Sequence, residues 1–103
     1  MFELRPDGIL VTAKLSLHDH IELENGIKTI QDFCAAMMTE PGCLFAFASR
    51  EIKSARSFIL WEQYADETAI SAHFKAPHTQ SFIEADICTL DFSSQSSIAL
   101  GAK

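Results

Sequence analysis

Positive charge is scarce in this chain. Eight lysines and arginines stand against fourteen aspartates and glutamates in 103 residues, a formal net charge of -6. No basic stripe exists to neutralise phosphates, which argues against nucleic acid or an anionic membrane as a main partner. Cysteine is sparse too: Cys34, Cys43 and Cys88 form an odd set without a CxxC, so a disulfide framework is not expected and a reducing compartment is. No apolar run approaches the roughly 20 residues needed to cross a bilayer. The opening MFELRPDG lacks the basic start and apolar stretch of a signal peptide. The expectation is a soluble, cytoplasmic protein. Nucleophile elbow, P-loop, dinucleotide fingerprint and paired-carboxylate spacing are all missing, as are internal repeats and linkers.

What is present is apolar and aromatic. Hydrophobic residues make up 48% of the chain and eight are phenylalanines, enough for one globular core in one domain spanning residues 1–103. After a lead-in over Met1–Gly8, Ile9–Leu17 alternates, with Ile9, Val11, Ala13, Leu15 and Leu17 on one face, as a half-buried strand does. His18-Asp19-His20 is a polar connection in which Asp19 is placed to cap the next helix. From Ile21 to Met38 the period becomes helical, through Leu23, Ile27, Ile30, Phe33, Cys34 and Met37; Gly26 is a blemish worth about 1 kcal/mol against alanine.

Glu40-Pro41-Gly42 stops that helix, Gly42 permitting a left-handed turn. Two strands follow, Cys43–Ser49 and Ser57–Tyr64, joined by a polar hairpin over Arg50–Arg56. Asp66 caps a helix carrying Ala69, Ile70, His73 and Phe74. Pro77 ends it and fits the first position of a short further helix. Glu84–Phe92 reads as a helix tail and loop, and Ser93–Leu100 as a weak edge strand.

The order β-α-β-β-α-β is the split βαβ arrangement of an α+β, ferredoxin-like fold with one four-stranded antiparallel sheet. Helices cover one sheet face only. Phe58, Leu60 and Tyr64 occupy one face of the third strand, and Ile59 and Trp61 the other, so a second copy is expected to cover the bare face. Trp61 is the natural anchor of that homodimer.

EPGCLFAF followed by FILWEQYADETAISAHFKAPHTQSF resembles the antibiotic biosynthesis monooxygenase family. The shared pattern is a Glu-Pro-Gly-Cys turn, an aromatic strand ending in Glu, and Ala-His followed five residues later by Pro-His. The resemblance covers roughly Ile9–Phe82. It implies a dimeric α+β barrel with a pocket between sheet and helices in each subunit. The family includes cofactor-free oxygenases of quinols and polyketide aromatics, haem-degrading enzymes and an isomerase-like enzyme. Haem-degrading members use Asn, Trp and His where this chain has Ala13, His73 and Ile83, so the haem reading loses its working residues.

Within that frame His73 is the candidate to take a proton from a phenolic hydroxyl; otherwise it is a half-buried histidine satisfied by backbone or by Glu62. His78, near the positive end of the short helix, suits a neutral donor–acceptor role or a surface one. Glu62 interrupts an apolar strand and needs a partner or its proton; His73 would supply one, Lys14 or Arg50 the alternative. Phe33, Phe58, Tyr64, Phe74 and Phe82 are candidate walls for an aromatic substrate. Cys34 reads as a small buried hydrophobe, and Cys43 as reactive only if exposed.

His73 and His78 lack the spacing of a helical metal pair, and His18 with His20 is no better, so no metal or other cofactor is expected. The leading reading is a cofactor-independent monooxygenase that oxidises a quinol-like or polycyclic phenol with O2. The alternatives are a small-metabolite isomerase, which needs cationic residues at the pocket, and a non-catalytic dimeric module binding a hydrophobic metabolite.

Overall fold

Alternation and capping signals place most of the elements. The computed structural model describes residues 4–99, and Leu100 of the expected last strand lies outside them. In order the elements are β1 (Ile9–Leu17), α1 (Leu23–Met37), β2 (Cys43–Arg50), β3 (Ser57–Tyr64), α2 (Glu67–Lys75), α3 (Pro77–Ala85) and β4 (Cys88–Ser97). The four strands form one open antiparallel sheet in the order β2-β3-β1-β4. This is the ferredoxin-like arrangement, with three helices. No helix among the described residues is long and apolar enough to cross a membrane.

β1 keeps its alternation because Ala13, Leu15 and Leu17 point into the core, where they meet Ile30, Phe33, Cys34 and Met37 of α1. Gly26 proves useful rather than a blemish. A Cβ there would lie 2.6 Å from Leu17 Cδ1, so the missing side chain lets α1 settle on β1. Asp66 caps α2 as expected, its Oδ1 accepting from Ala69 N at 2.8 Å. Pro77 opens α3 without a side-chain cap on Ala76.

Four expectations are corrected. α1 starts at Leu23 with Glu22 at its N-cap and no capping side chain, so Asp19 does not cap it. Arg56 explains the delay, because its Nη2 donates to the carbonyls of His18 and Ile21 at 2.7 and 2.5 Å and holds that connection as a turn. No glycine among the described residues has positive φ. Gly42 is required instead by space, since its Cβ would lie 2.3 Å from Ala69 Cβ. The left-handed residue is Asp86, at φ 48°, which ends α3.

The fourth correction concerns 84–92, expected to be helix tail and loop. β4 begins at Cys88, paired with Leu17, and a register shift opposite Lys14 and Leu15 interrupts its alternation. That bulge hides the period-two signal.

The strand pairs also sort the outer face of the sheet. Phe47 lies opposite Trp61, Trp61 opposite Thr12 and Phe92 opposite Lys14. Phe47, Trp61 and Phe92 are all exposed there, Phe92 at 56%.

Candidate functional site

A cavity of about 570 Å³ opens between the inner sheet face and the helices. Its size suits a small organic ligand. Val11, Ala13, Leu15 and Leu60 form its floor, Phe33, Phe74 and Phe82 its helical wall. Phe33 stacks on Phe82 with ring centroids 4.2 Å apart. Three buried polar side chains face this apolar space: Glu62 from β3, His73 from α2 and Thr79 from α3.

His73 does not pair with Glu62. Its Nδ1 lies 2.9 Å from Glu40 Oε2 and 3.3 Å from Thr79 Oγ1. His78 Nε2 reaches the same Glu40 oxygen at 2.5 Å. A carboxylate only accepts, so the network assigns the proton to His73 Nδ1 and leaves a lone pair on Nε2. Among the described residues Nε2 has no hydrogen-bond partner. A buried carboxylate, an imidazole and a free ring nitrogen beside an apolar cavity form a proton-accepting dyad.

Glu62 is paired with Tyr64, whose hydroxyl donates to Oε1 at 2.6 Å. Neither Lys14 nor Arg50 reaches it: Lys14 Nζ pairs with Glu51 at 3.1 Å, and the Arg50 guanidinium lies over the Phe58 ring. Burial raises the Glu62 pKa; the Tyr64 hydrogen bond and nearby His73 oppose the rise, and Glu40 adds to it. Burial, followed by the Glu62 charge, pushes the Tyr64 phenol upward as well. Glu62 is therefore a carboxyl inclined to keep its proton in a dry wall.

This has a consequence for stability. A carboxyl whose pKa is raised on folding costs no stability below its unfolded value and destabilises progressively as pH rises through the folded one. A tenfold weaker acid corresponds to about 1.4 kcal/mol. Glu62→Gln, which keeps an acceptor for Tyr64, is expected to raise the melting temperature at pH 8 by several degrees. The gain should shrink to nothing near pH 4. Equal gains at both pH values would refute a buried ionisation cost.

The remaining sequence candidates divide. Phe33, Phe74 and Phe82 line the cavity, whereas Phe58 and Tyr64 do not. Phe58 is core, and Tyr64 is fully buried, reaching the cavity only through Glu62. His78 is off the wall and joins the site through Glu40. Cys34 and Cys43 are buried, and burial lifts their thiols to about 11 and about 12, so neither is a nucleophile. Trp61 is on the outer face, its Nε1 donating to Ser49 Oγ at 2.9 Å.

Sequence reasoning used Glu40 only as punctuation and overlooked Thr79. Glu40 sits in a turn, where no periodicity marks an inward side chain. Thr79, two residues after Pro77 on α3, carried no signal beyond its polarity.

The sequence profile described as antibiotic biosynthesis monooxygenase matches residues 24–85, more than half of the chain. The chain belongs to the antibiotic biosynthesis monooxygenase family. No curated protein matches this family member. Among solved structures it is similar to protein YJCS, at 23% identity with a TM-score of 0.80, covering 89% of this chain and 99% of that one. SnoaB from Streptomyces nogalater, a cofactor-independent oxygenase, aligns at 13% identity with a TM-score of 0.81 over 92% and 96% of the two chains. PA3566 from Pseudomonas aeruginosa aligns at 18% identity with a TM-score of 0.76 over 93% and 96%. At these identities the likeness establishes the fold of the antibiotic biosynthesis monooxygenase family and nothing finer.

Proposed function

We propose that this protein is a cofactor-independent monooxygenase oxidising a quinol-like or polycyclic phenol with O2, working as a cytoplasmic homodimer. The observation that carries this reading is His73, held through Nδ1 by buried Glu40, with its other nitrogen unpartnered beside an apolar cavity. The oxygenase activity of SnoaB, a protein of the same fold, points the same way.

The phenol enters with its rings against Phe33, Phe74 and Phe82. His73 Nε2 removes the phenolic proton, and Glu40 stabilises the imidazolium formed. Removal of water keeps the resulting anion reactive. The anion passes one electron to O2, giving a substrate radical and superoxide, which join in a carbon–oxygen bond. The peroxide recovers the proton from His73, and loss of water, taking the hydrogen of that carbon, leaves a hydroxyquinone or carbonyl product. One oxygen atom stays in the product and the other leaves as water. Glu62, buried in the wall and bonded to Tyr64, supports a substrate oxygen by hydrogen bonding.

The second copy fits the outer face of the sheet, where Phe47, Trp61 and Phe92 lie exposed. An isomerase acting on an anionic metabolite is disfavoured, because no lysine or arginine is among the described residues lining the cavity.

The test is oxygen uptake by purified protein with a panel of quinols and polycyclic phenols, alongside sedimentation to measure mass. One O2 consumed per product above the spontaneous rate, by a species of twice the chain mass, is the expected result. Binding of the phenols to the dimer without uptake would instead establish a ligand-binding module.

A further inference from the structure

We propose that Glu40, His73 and His78 form a binding site for a divalent first-row transition-metal ion, Zn2+ foremost. One ligand atom from each lies within 4.8 Å of the other two. They come from three places in the fold: the turn before β2, the last turn of α2 and the first turn of α3. Two imidazoles and a carboxylate make a set that suits zinc and its neighbours and leaves positions for water.

A second observation points to a cation. Both imidazoles converge on Glu40 Oε2, while Glu40 Oε1 is buried without a hydrogen-bond partner. A buried carboxylate oxygen left unsatisfied is costly, and a divalent ion held by both carboxylate oxygens beside the imidazoles would offset that cost.

The geometry needs only modest adjustment. Ligand atoms around a tetrahedral zinc with bonds of about 2.0–2.1 Å must spread somewhat beyond the 2.9 and 2.5 Å contacts seen here. His78 can give way. Its side chain is 26% exposed and lies at the start of a helix with no side-chain cap, which also offers the ion a route from solvent.

The site goes beyond the oxygenase reading and bears on it. An ion on His73 Nδ1 displaces the proton there to Nε2, which turns the free acceptor into a donor. Metal occupancy and proton abstraction by Nε2 are then mutually exclusive, and Zn2+ acts as an inhibitor of the proposed oxygenation. Binding itself does not depend on whether the protein is an oxygenase.

The experiment is calorimetric titration of the full-length protein with Zn2+, and with Co2+ followed by visible absorption. One ion per chain is expected, with Co2+ giving the intense bands of low coordination. Glu40→Gln and His78→Gln should each weaken binding more than about 10-fold while retaining the native circular dichroism. His78→Gln guards against a folding defect at the more buried glutamate. The stacked pair His18 and His20 is the competing location, so His18→Gln/His20→Gln should bind normally. Absence of binding, unchanged affinity in both the Glu40 and His78 variants, or loss of binding in the His18/His20 variant would each overturn the proposal.

Discussion

His73→Ala is expected to lower kcat/KM for the oxidised phenol by about 10²- to 10⁴-fold, the usual contribution of a positioned general base. The loss should fall on kcat, because the ring-binding contacts with Phe33 and Phe82 remain. A sharper result is expected one step away. In Glu40→Gln the amide group can donate to His73 Nδ1, where the carboxylate could only accept. The imidazole then carries its proton on Nε2 and faces the substrate in the wrong tautomer. In a related carboxylate–histidine arrangement the amide replacement costs about 10⁴-fold. Glu40→Gln should thus be nearly as damaging as His73→Ala. Glu40→Ala, which imposes no tautomer, should be milder. Excess imidazole should partly restore His73→Ala and leave Glu40→Gln unchanged. Rates in Glu40→Gln close to those of the unaltered protein, measured as O2 uptake at saturating phenol, would remove the dyad from the mechanism.

Much of the fold was legible because its signals are local. The bounds of β1 follow from alternation and those of β3 from an apolar, aromatic-rich run, Asp66 caps the helix it precedes, and Pro77 begins the next. The difficult parts are those where distant chain decides the outcome. Arg56 holds the connection ahead of α1 from across the sheet, and the bulge opposite Lys14 and Leu15 hides β4. At the site, helical spacing placed Phe33, His73 and Phe74, which line the cavity. The strand residues Phe58 and Tyr64 do not line it, and the partner of His73 gave no such signal. Glu62 looked right because an acid on an apolar face needs a partner, but a tyrosine two residues along the same strand supplies it. The true partner is 33 positions away, in a turn whose sequence records only that the chain reverses. His73 and His78 also lacked the spacing of a metal pair on one helix face. Ala76, in extended conformation between two helices, turns them onto one oxygen.

The turn holding Glu40 is itself set by a steric requirement, and Gly42→Ala is expected to cost about 1–3 kcal/mol, a fall in melting temperature of roughly 4 °C or more. The added methyl would lie 2.3 Å from Ala69 Cβ and 3.3 Å from Ala69 Cα, and neither atom can rotate away. Nor can the turn swing outward freely. Gly42 O accepts from Ala65 N at 2.9 Å, and Glu40 O accepts from Cys43 N at 3.1 Å, so both ends are tied to the start of β2 and the end of β3. Relief must come from separating the turn from α2, and that motion carries Glu40 away from His73. Gly42→Ala should therefore reduce O2 uptake as well as stability. Ala69→Gly alone should cost about 1 kcal/mol as a helix-interior glycine. Combined, the two changes remove the clash, since the obstructing atom is the Ala69 methyl. The double variant should be more stable than the sum of the single effects predicts, by an interaction energy of about 1 kcal/mol or more, and should recover activity with it. Strict additivity in a denaturation cycle would show that the turn and α2 do not press on one another, and that Glu40 owes its position to something else.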